Sequence, residues 1–202
     1  MGVVVITPPE PLIDLDTAKT HLRVDLADTD DDALIAAYVA AASAHIDGPG
    51  GWLGRAIGPQ TLELRLSAFE SARCDTIDLP YQPIIDVVSV KYLDASGVEQ
   101  TLTADTYEVT EGYVLRPAYN TRWPAARERA DAIRIRYRAG YAADPDADEL
   151  QAAVPAPIAA AVLLMTGDLY ANRETGVVGT VAADVQMSTT VEALLAPYRI
   201  WA

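Results

Sequence analysis

The 202-residue sequence predicts an α+β protein, with helices at both ends forming a helical bundle and an antiparallel β-sheet or small sandwich inserted between them. Three observations predict this. Apolar residues recur at helical spacing up to about residue 47, at alternate positions from about 61 to 138, and at helical spacing again from 158. Glycine and proline clusters stand where the period changes. The order helices, strands, helices lets the two helical ends pack together beside a segregated sheet.

Leu15 to Val24 reads as a short helix and Thr29 to Asp47 as a longer, Ala-rich one, joined by a tight acidic turn. Asp28, Thr29 and Asp30 are good N-cap types, since a side-chain oxygen can accept a bond from an orphan helical N–H. Asp31 and Asp32 follow in the first turn, where negative charge meets the positive end of the helix dipole. Ile35, Val39, Ala42 and Ile46 form one apolar stripe. The glycines of 48–54, with Pro49, stop this helix and reverse the chain.

The middle turns to a period of two. Leu62, Leu64 and Leu66 face one way, Thr61, Glu63 and Arg65 the other. Thr76 to Leu79 reads as a short strand stopped by Pro80. Ile84 to Leu93 is a strong strand, with Asp94–Gly97 as a turn and Val98 to Leu102 as its hairpin partner. Thr106–Thr110 and Tyr113–Leu115 flank a second hairpin turn at Glu111-Gly112. Asp131 to Arg138 closes the series, with Ile133, Ile135 and Tyr137 inward and Arg134, Arg136 and Arg138 outward, the pattern of a half-buried antiparallel sheet.

Pro155 and Pro157 suit the first turn of a helix, which runs from Ile158 to about Arg173 and is apolar enough to be buried against the opening pair. Gly176 to Ser188 reads as a flexible connection. A last helix starts at Thr189, with Thr189 as cap and Glu192 as the third helical residue of a capping box. The expected organisation is an N-terminal helical segment over residues 1–57, a β-rich insertion over 58–141, a helical segment over 142–175 that completes the bundle, and a linker with C-terminal segment over 176–202.

Half of the residues are hydrophobic, so a real core can form. No apolar run approaches the roughly 18 residues of a membrane span, and no basic segment precedes the apolar residues at 3–6, so neither a span nor a signal peptide is expected. Cys74 is the single cysteine and has no disulfide or zinc partner in the chain. The net charge is −14, which argues against gripping a nucleic-acid backbone. Residues 116–138, however, hold seven bases and two acids. Arg116, Arg122, Arg127, Arg129, Arg134, Arg136 and Arg138 make a basic island, read either as a docking surface between subunits or onto an acidic partner, or as a solvated sheet face. Its Tyr119, Trp123 and Tyr137 raise base stacking as a weaker alternative.

No catalytic, cofactor or metal site is expected. Asp28-x-Asp30-x-Asp32 starts like a calcium loop, but the required glycine is Ala33 and the closing glutamate is Val39. His21 and His45 lack a third ligand and metal-binding spacing. The glycines at 48–54 follow a helix and lead to a strand, the reverse of a phosphate loop. No Gly-x-Ser-x-Gly elbow occurs.

The chain ends in bulky groups. Val191, Leu194, Leu195 and Tyr198 fall at i, i+3, i+4 and i+7, followed by Ile200 and Trp201. Such a face either folds onto the protein's own helices or serves as an anchor in a partner's groove.

Several ordered pieces resemble the head–tail connector (adaptor) proteins of tailed phages and phage-derived gene transfer agents. They are Leu15-Asp-x-Ala-Lys-x-His-Leu-Arg-Val24, the Asp-Asp-x-Leu-Ile helix start at 31–35, Gly58-Pro-Gln-Thr-Leu-Glu-Leu-Arg-Leu66, Leu79-Pro-x-x-Pro-Ile84, the Ser-Val-x-Tyr strand ending at Tyr92, Arg136-Tyr-Arg-Ala-Gly-Tyr141, Tyr170-Ala-Asn-Arg-Glu174 and Leu194-Leu-Ala-Pro-Tyr-Arg199. The resemblance is closest to the subgroup with a β-rich insertion. The glycine-rich 48–54 stretch is longer than that pattern. The resemblance implies a non-enzymatic subunit of a homo-oligomeric ring, usually a dodecamer, in the neck of the particle. Its implied partners are the portal protein and a stopper or tail-terminator protein, with DNA passing through without tight binding and no membrane. It implies assembly in the host cytoplasm, and a C-terminal segment that engages the portal, here Val191, Leu194, Leu195, Tyr198, Ile200 and Trp201. The competing class is a carbohydrate-binding module or hydrolase built on the β region, which requires a pocket with convergent carboxylates.

Overall fold

Leu62, Leu64, Ile133, Ile135 and Tyr137 are all fully buried, and they set the plane of the largest sheet. The computed structural model describes residues 2–69, 75–147, 150–172 and 187–201. Cys74 and most of the expected connection 176–188 lie outside the described residues. The chain divides into two units, one from Met1–Glu10 and Arg55–Ala153, the other from Pro11–Gly54 and Val154–Ala202.

The strand unit is built from β1 (Gly2–Thr7), β2 (Gln60–Leu66), β3 (Ile77–Asp78), β4 (Ile84–Leu93), β5 (Glu99–Thr101), β6 (Tyr107–Thr110), β7 (Val114–Pro117) and β8 (Ile133–Ala139). The first sheet has the order β1-β2-β8-β4-β5 and the second β3-β7-β6, and every named pairing is antiparallel. Their common core joins Leu62, Leu64, Val90, Ile133, Ile135 and Tyr137 of the first sheet to Ile77 and Leu115 of the second. Each such side chain stabilises the fold by about 1.5–3 kcal/mol relative to exposure. The alternation expected for β2 and β8 therefore holds, and the small-sandwich expectation with it.

Local chemistry fixes the turns. At the tip of the β6–β7 hairpin Glu111 and Gly112 take φ of 54° and 75°, the paired positive values of a turn that matches strand twist. Asp94 Oδ1 accepts the backbone N–H of Ser96 and of Val98, holding the β4–β5 turn. Gly140 has φ 126°, and a Cβ there would lie 2.4 Å from the Gly58 carbonyl oxygen, so the end of β8 admits only glycine.

The helical unit contains α1 (Leu15–Leu22), α2 (Asp32–Ile46), α3 (Ala156–Ala171) and α4 (Thr189–Leu195). Helix α3 packs on α1, α2 and α4. The predicted stripe of α2 is buried at Ile35, Val39, Ala42 and Ile46, and α3 answers with Ile158, Ala161 and Val162. Asp14 caps α1, its Oδ1 accepting the Thr17 N–H at 2.8 Å.

The structure corrects four details. Residues 2–7, expected within a helical segment, form strand β1 and pair with β2 from Gly2↔Arg65 to Thr7↔Thr61. An unbroken apolar run does not alternate, so its period conceals the strand. Residues 142–153, also expected in a helical segment, lie with the strand unit, where Ala142 bridges Ala152. Helix α2 begins later than expected: Asp31 is its N-cap position and no side chain caps it. Helix α4 begins earlier, with Ser188 as cap, its Oγ accepting the Val191 N–H at 3.3 Å. Thr189 is thus helical rather than the cap, and the capping box is not formed.

Candidate functional site

The outer face of the first sheet carries the basic island, and strand register decides its character. Arg138 lies opposite Asp86 and reaches both carboxylate oxygens at 2.8 and 2.7 Å. Such a two-pronged pair is the strong geometry for guanidinium and carboxylate. Arg136 lies opposite Glu63 and bonds it at 2.9 Å, while Arg65 takes the other oxygen of the same carboxylate at 3.0 Å. Burial works against the charged form of Glu63, but hydrogen bonds from Arg136 and Arg65 outweigh it and hold the carboxyl below its ordinary value. Arg116 pairs with Glu108 on the second sheet. These arginines spend their charge within the fold.

The third row differs. Arg65, Arg134 and Lys91 lie side by side on β2, β8 and β4, three cations in direct lateral register. Like charges placed opposite each other destabilise a sheet. Glu99 spans part of the row, 2.9 Å from Lys91 and 3.5 Å from Arg134, and Lys91, first by hydrogen bond and then by charge, holds its carboxyl low. Next to the row is a cleft of about 370 Å³ lined by Arg65, Leu93, Gly97, Arg129, Ala130, Asp131 and Arg134. Arg122, Arg127 and Arg129 are exposed on the segment that leads into β8, and Arg127 lies against Gly97. The cleft contains one carboxylate, Asp131, not the convergent pair that hydrolytic chemistry would require.

The island's aromatic residues do not form a stacking platform. Trp123 stacks on Phe69 at 4.8 Å and donates its indole N–H to the Asp75 carbonyl, and Tyr137 is buried with its hydroxyl donating to the Pro80 carbonyl at 3.0 Å. Burial, with a smaller contribution from Tyr81, pushes the Tyr137 phenol far above its ordinary value. Tyr119 alone stands free, 98% exposed.

In the helical unit, Lys19 is the organising residue. It is 1% exposed, and its ammonium donates to the carbonyls of Leu26 and Asp28 and to Asp32 Oδ1 at 2.7 Å. One buried cation thereby draws the acidic turn onto α1. Asp31 accepts the Tyr170 hydroxyl at 2.6 Å, tying the start of α2 to α3. The acids that resemble the start of a calcium loop have protein partners: Asp28 Oδ1 accepts the Asp30 N–H and Asp32 pairs with Lys19. His21 and His45 are exposed, and among the described residues no group of three His, Cys, Asp or Glu is placed to hold a metal ion.

The C-terminal candidates separate into two sets. Val191 and Leu195 are completely buried beneath α4, which packs on α3. Leu194, Tyr198 and Ile200 are half-buried and Trp201 is 76% exposed. The Ile200 N–H donates to the Leu53 carbonyl at 2.9 Å. The Arg199 guanidinium lies 4.0 Å from the ring centres of both Trp52 and Trp201, a cation held between two indoles. The glycine-rich 48–54 stretch, legible in the sequence only as a helix stop, is therefore the seat of the chain's end, and Trp52 is the residue that no sequence signal singles out. Gly54, at φ 65° with its Cβ position 3.0 Å from the Ile200 carbonyl oxygen, allows that approach.

Comparison with known proteins bears on this arrangement. Residues 12–100 match the family model of phage gp6-like head-tail connector proteins. The connector resemblance read from the sequence is borne out by that match. Three solved structures share the fold of this chain across 100% of its length and 97% of theirs. One is described as the neck of an empty GTA particle computed with C6 symmetry, at 24% identity and TM-score 0.73. Another is the virion of a native gene transfer agent particle, at 22% and 0.74, and a third the neck of a native GTA particle computed with C12 symmetry, at 22% and 0.68. At these identities the likeness is one of fold. Among curated proteins none matches the chain. Neither comparison supports the carbohydrate-binding or hydrolase alternative.

Proposed function

We propose that this protein is a structural head–tail connector subunit. It takes its place as one copy of a homo-oligomeric ring, a dodecamer, in the neck of a tailed phage or gene transfer agent particle. The observation that carries this reading is the agreement of the whole chain, both units included, with the fold of chains from gene transfer agent particles, two of them described as necks. The connector match over residues 12–100 points the same way.

The ring sits between the portal and the stopper or tail-terminator protein, and DNA passes through it. A net charge of −14 suits a conduit that must not retain DNA, because phosphate is repelled at short range. The subunit performs no chemistry. Its working groups are contact surfaces.

The C-terminal segment is the portal contact. Val191 and Leu195 fasten α4 to its own unit, while Leu194, Tyr198, Ile200 and Trp201 remain for the portal. Trp201 leads this set: it is exposed, aromatic and oriented by Arg199, the residue type that most often dominates an interface.

The test is assembly. The chain mixed with its portal is expected to co-sediment at micromolar concentration and to appear as a collar in negative-stain images. Absence of co-sedimentation overturns the connector reading. Trp201→Ala is expected to weaken attachment at least ten-fold while the protein stays folded.

A further inference from the structure

We infer that the cleft of Arg65, Arg129 and Arg134 receives the acidic turn 25–30 of a second copy of this chain. The inference rests on the ring proposed above and names the contact that would build it.

The cleft has the properties of an unfilled docking site. Three cations, Arg65, Arg134 and Lys91, are held in one row and answered by two carboxylates, Glu63 at Arg65 (shared with Arg136) and Glu99 at Lys91 and Arg134, so the row keeps a net positive charge. Among the described residues Arg129 has no ion pair. Leu93 lines the same cleft, and Val98 on the adjoining turn is 55% exposed. The site therefore asks for an occupant with several negative charges and one apolar side chain.

Residues 25–30 supply that combination. Asp25, Asp28 and Asp30 are exposed, and between them Leu26 is 54% exposed. Leu26 is the large apolar side chain of this turn. Lys19 fixes the backbone of this turn from beneath by binding the Leu26 and Asp28 carbonyls, so little ordering entropy opposes docking.

Cleft and turn are different surfaces of the same chain, in different units. A contact between two unlike patches is head-to-tail, and repetition with closure gives a ring rather than a two-fold dimer. Desolvated carboxylate–guanidinium pairs would fix the register, and Leu26 against Leu93 would supply the apolar centre.

The test is a charge swap in the full-length chain. Arg129→Glu with Arg134→Glu, and separately Asp28→Arg with Asp30→Arg, are expected to lower incorporation into assembled necks at least ten-fold, with far-ultraviolet circular dichroism unchanged. The chain carrying all four substitutions is expected to regain incorporation. Incorporation of either reversed chain at the wild-type level overturns the inference, and so does failure of the four-fold variant to recover. A DNA duplex retained by the wild type and released by the Arg129/Arg134 variant would assign the cleft to nucleic acid and overturn it equally. If the wild-type chain itself is absent from necks, the connector reading fails. The cleft is then judged by concentration-dependent sedimentation, where unchanged self-association in the reversed chains overturns the inference.

Discussion

At the scale of single residues, two buried charges carry much of the design. Lys19 satisfies three acceptors that would otherwise be stranded when α1, the acidic turn and α2 come together. Removing one partner from such a group costs far more than the group's net contribution. Lys19→Met is therefore expected to destabilise the protein by about 2–4 kcal/mol, measured as a lower denaturant midpoint. Glu63 is the counterpart in the sheet. Its folded-state pKa lies below its ordinary 4.5, so its contribution is fully present above about pH 4.5 and is lost as pH falls through the lower folded value. Glu63→Gln is expected to cost about 1–3 kcal/mol at neutral pH and to flatten the acid limb of the stability curve below pH 4.5. An acid limb identical to that of the wild type would contradict the pairing with Arg136 and Arg65. Asp14, lowered chiefly by the Thr17 backbone N–H, acts in the same direction.

At the scale of elements, α4 is the informative case. Its cap is Ser188 and its inner face is Val191 and Leu195. Ser188→Ala is expected to cost about 1 kcal/mol, and Leu195→Ala about 2–5 kcal/mol. Trp201→Ala, at an exposed position, is expected to leave the thermal midpoint nearly unchanged. Equal losses for Leu195 and Trp201 would show that the chain end is core throughout. The apolar spacing of α4 is legible in the sequence, but not which molecule covers that face, because periodicity reports a face and not its neighbour. The same limit explains the other differences. Strands β2 and β8 are legible because apolar and polar side chains alternate along them, and β4 because its β-branched run is bounded by Pro83 and the Asp94–Gly97 turn. Strand β1 is not, since Val3, Val4, Val5 and Ile6 give no period. The pairing of Arg136 and Arg138, and the cation row of Arg65, Arg134 and Lys91, depend on lateral register, which no local pattern encodes. The helix caps are legible only to within a few residues, because Asp28 to Asp32 and Ser188 to Thr189 offer several equivalent oxygens in succession.

At the scale of the whole molecule, charge predicts behaviour toward DNA. With a net −14 and its sheet arginines largely paired to carboxylates, the isolated protein is expected to show no gel shift of duplex DNA below micromolar concentration at physiological salt. A sub-micromolar shift would contradict this. The division of the chain has a further consequence, for the order in which the protein is made. The helical unit is assembled from Pro11–Gly54 and Val154–Ala202, with all of Arg55–Ala153 between. During synthesis α1 and α2 leave the ribosome first, yet the surface of Ile35, Val39 and Ile46 cannot be covered until α3 follows. The strands can meanwhile close on β1, which is already waiting. A released chain truncated after Ala153 is thus expected to be cut by protease within 15–46 while 60–139 resists. Only a chain that has reached α3 can close the helical unit, so an interrupted chain keeps that apolar surface open.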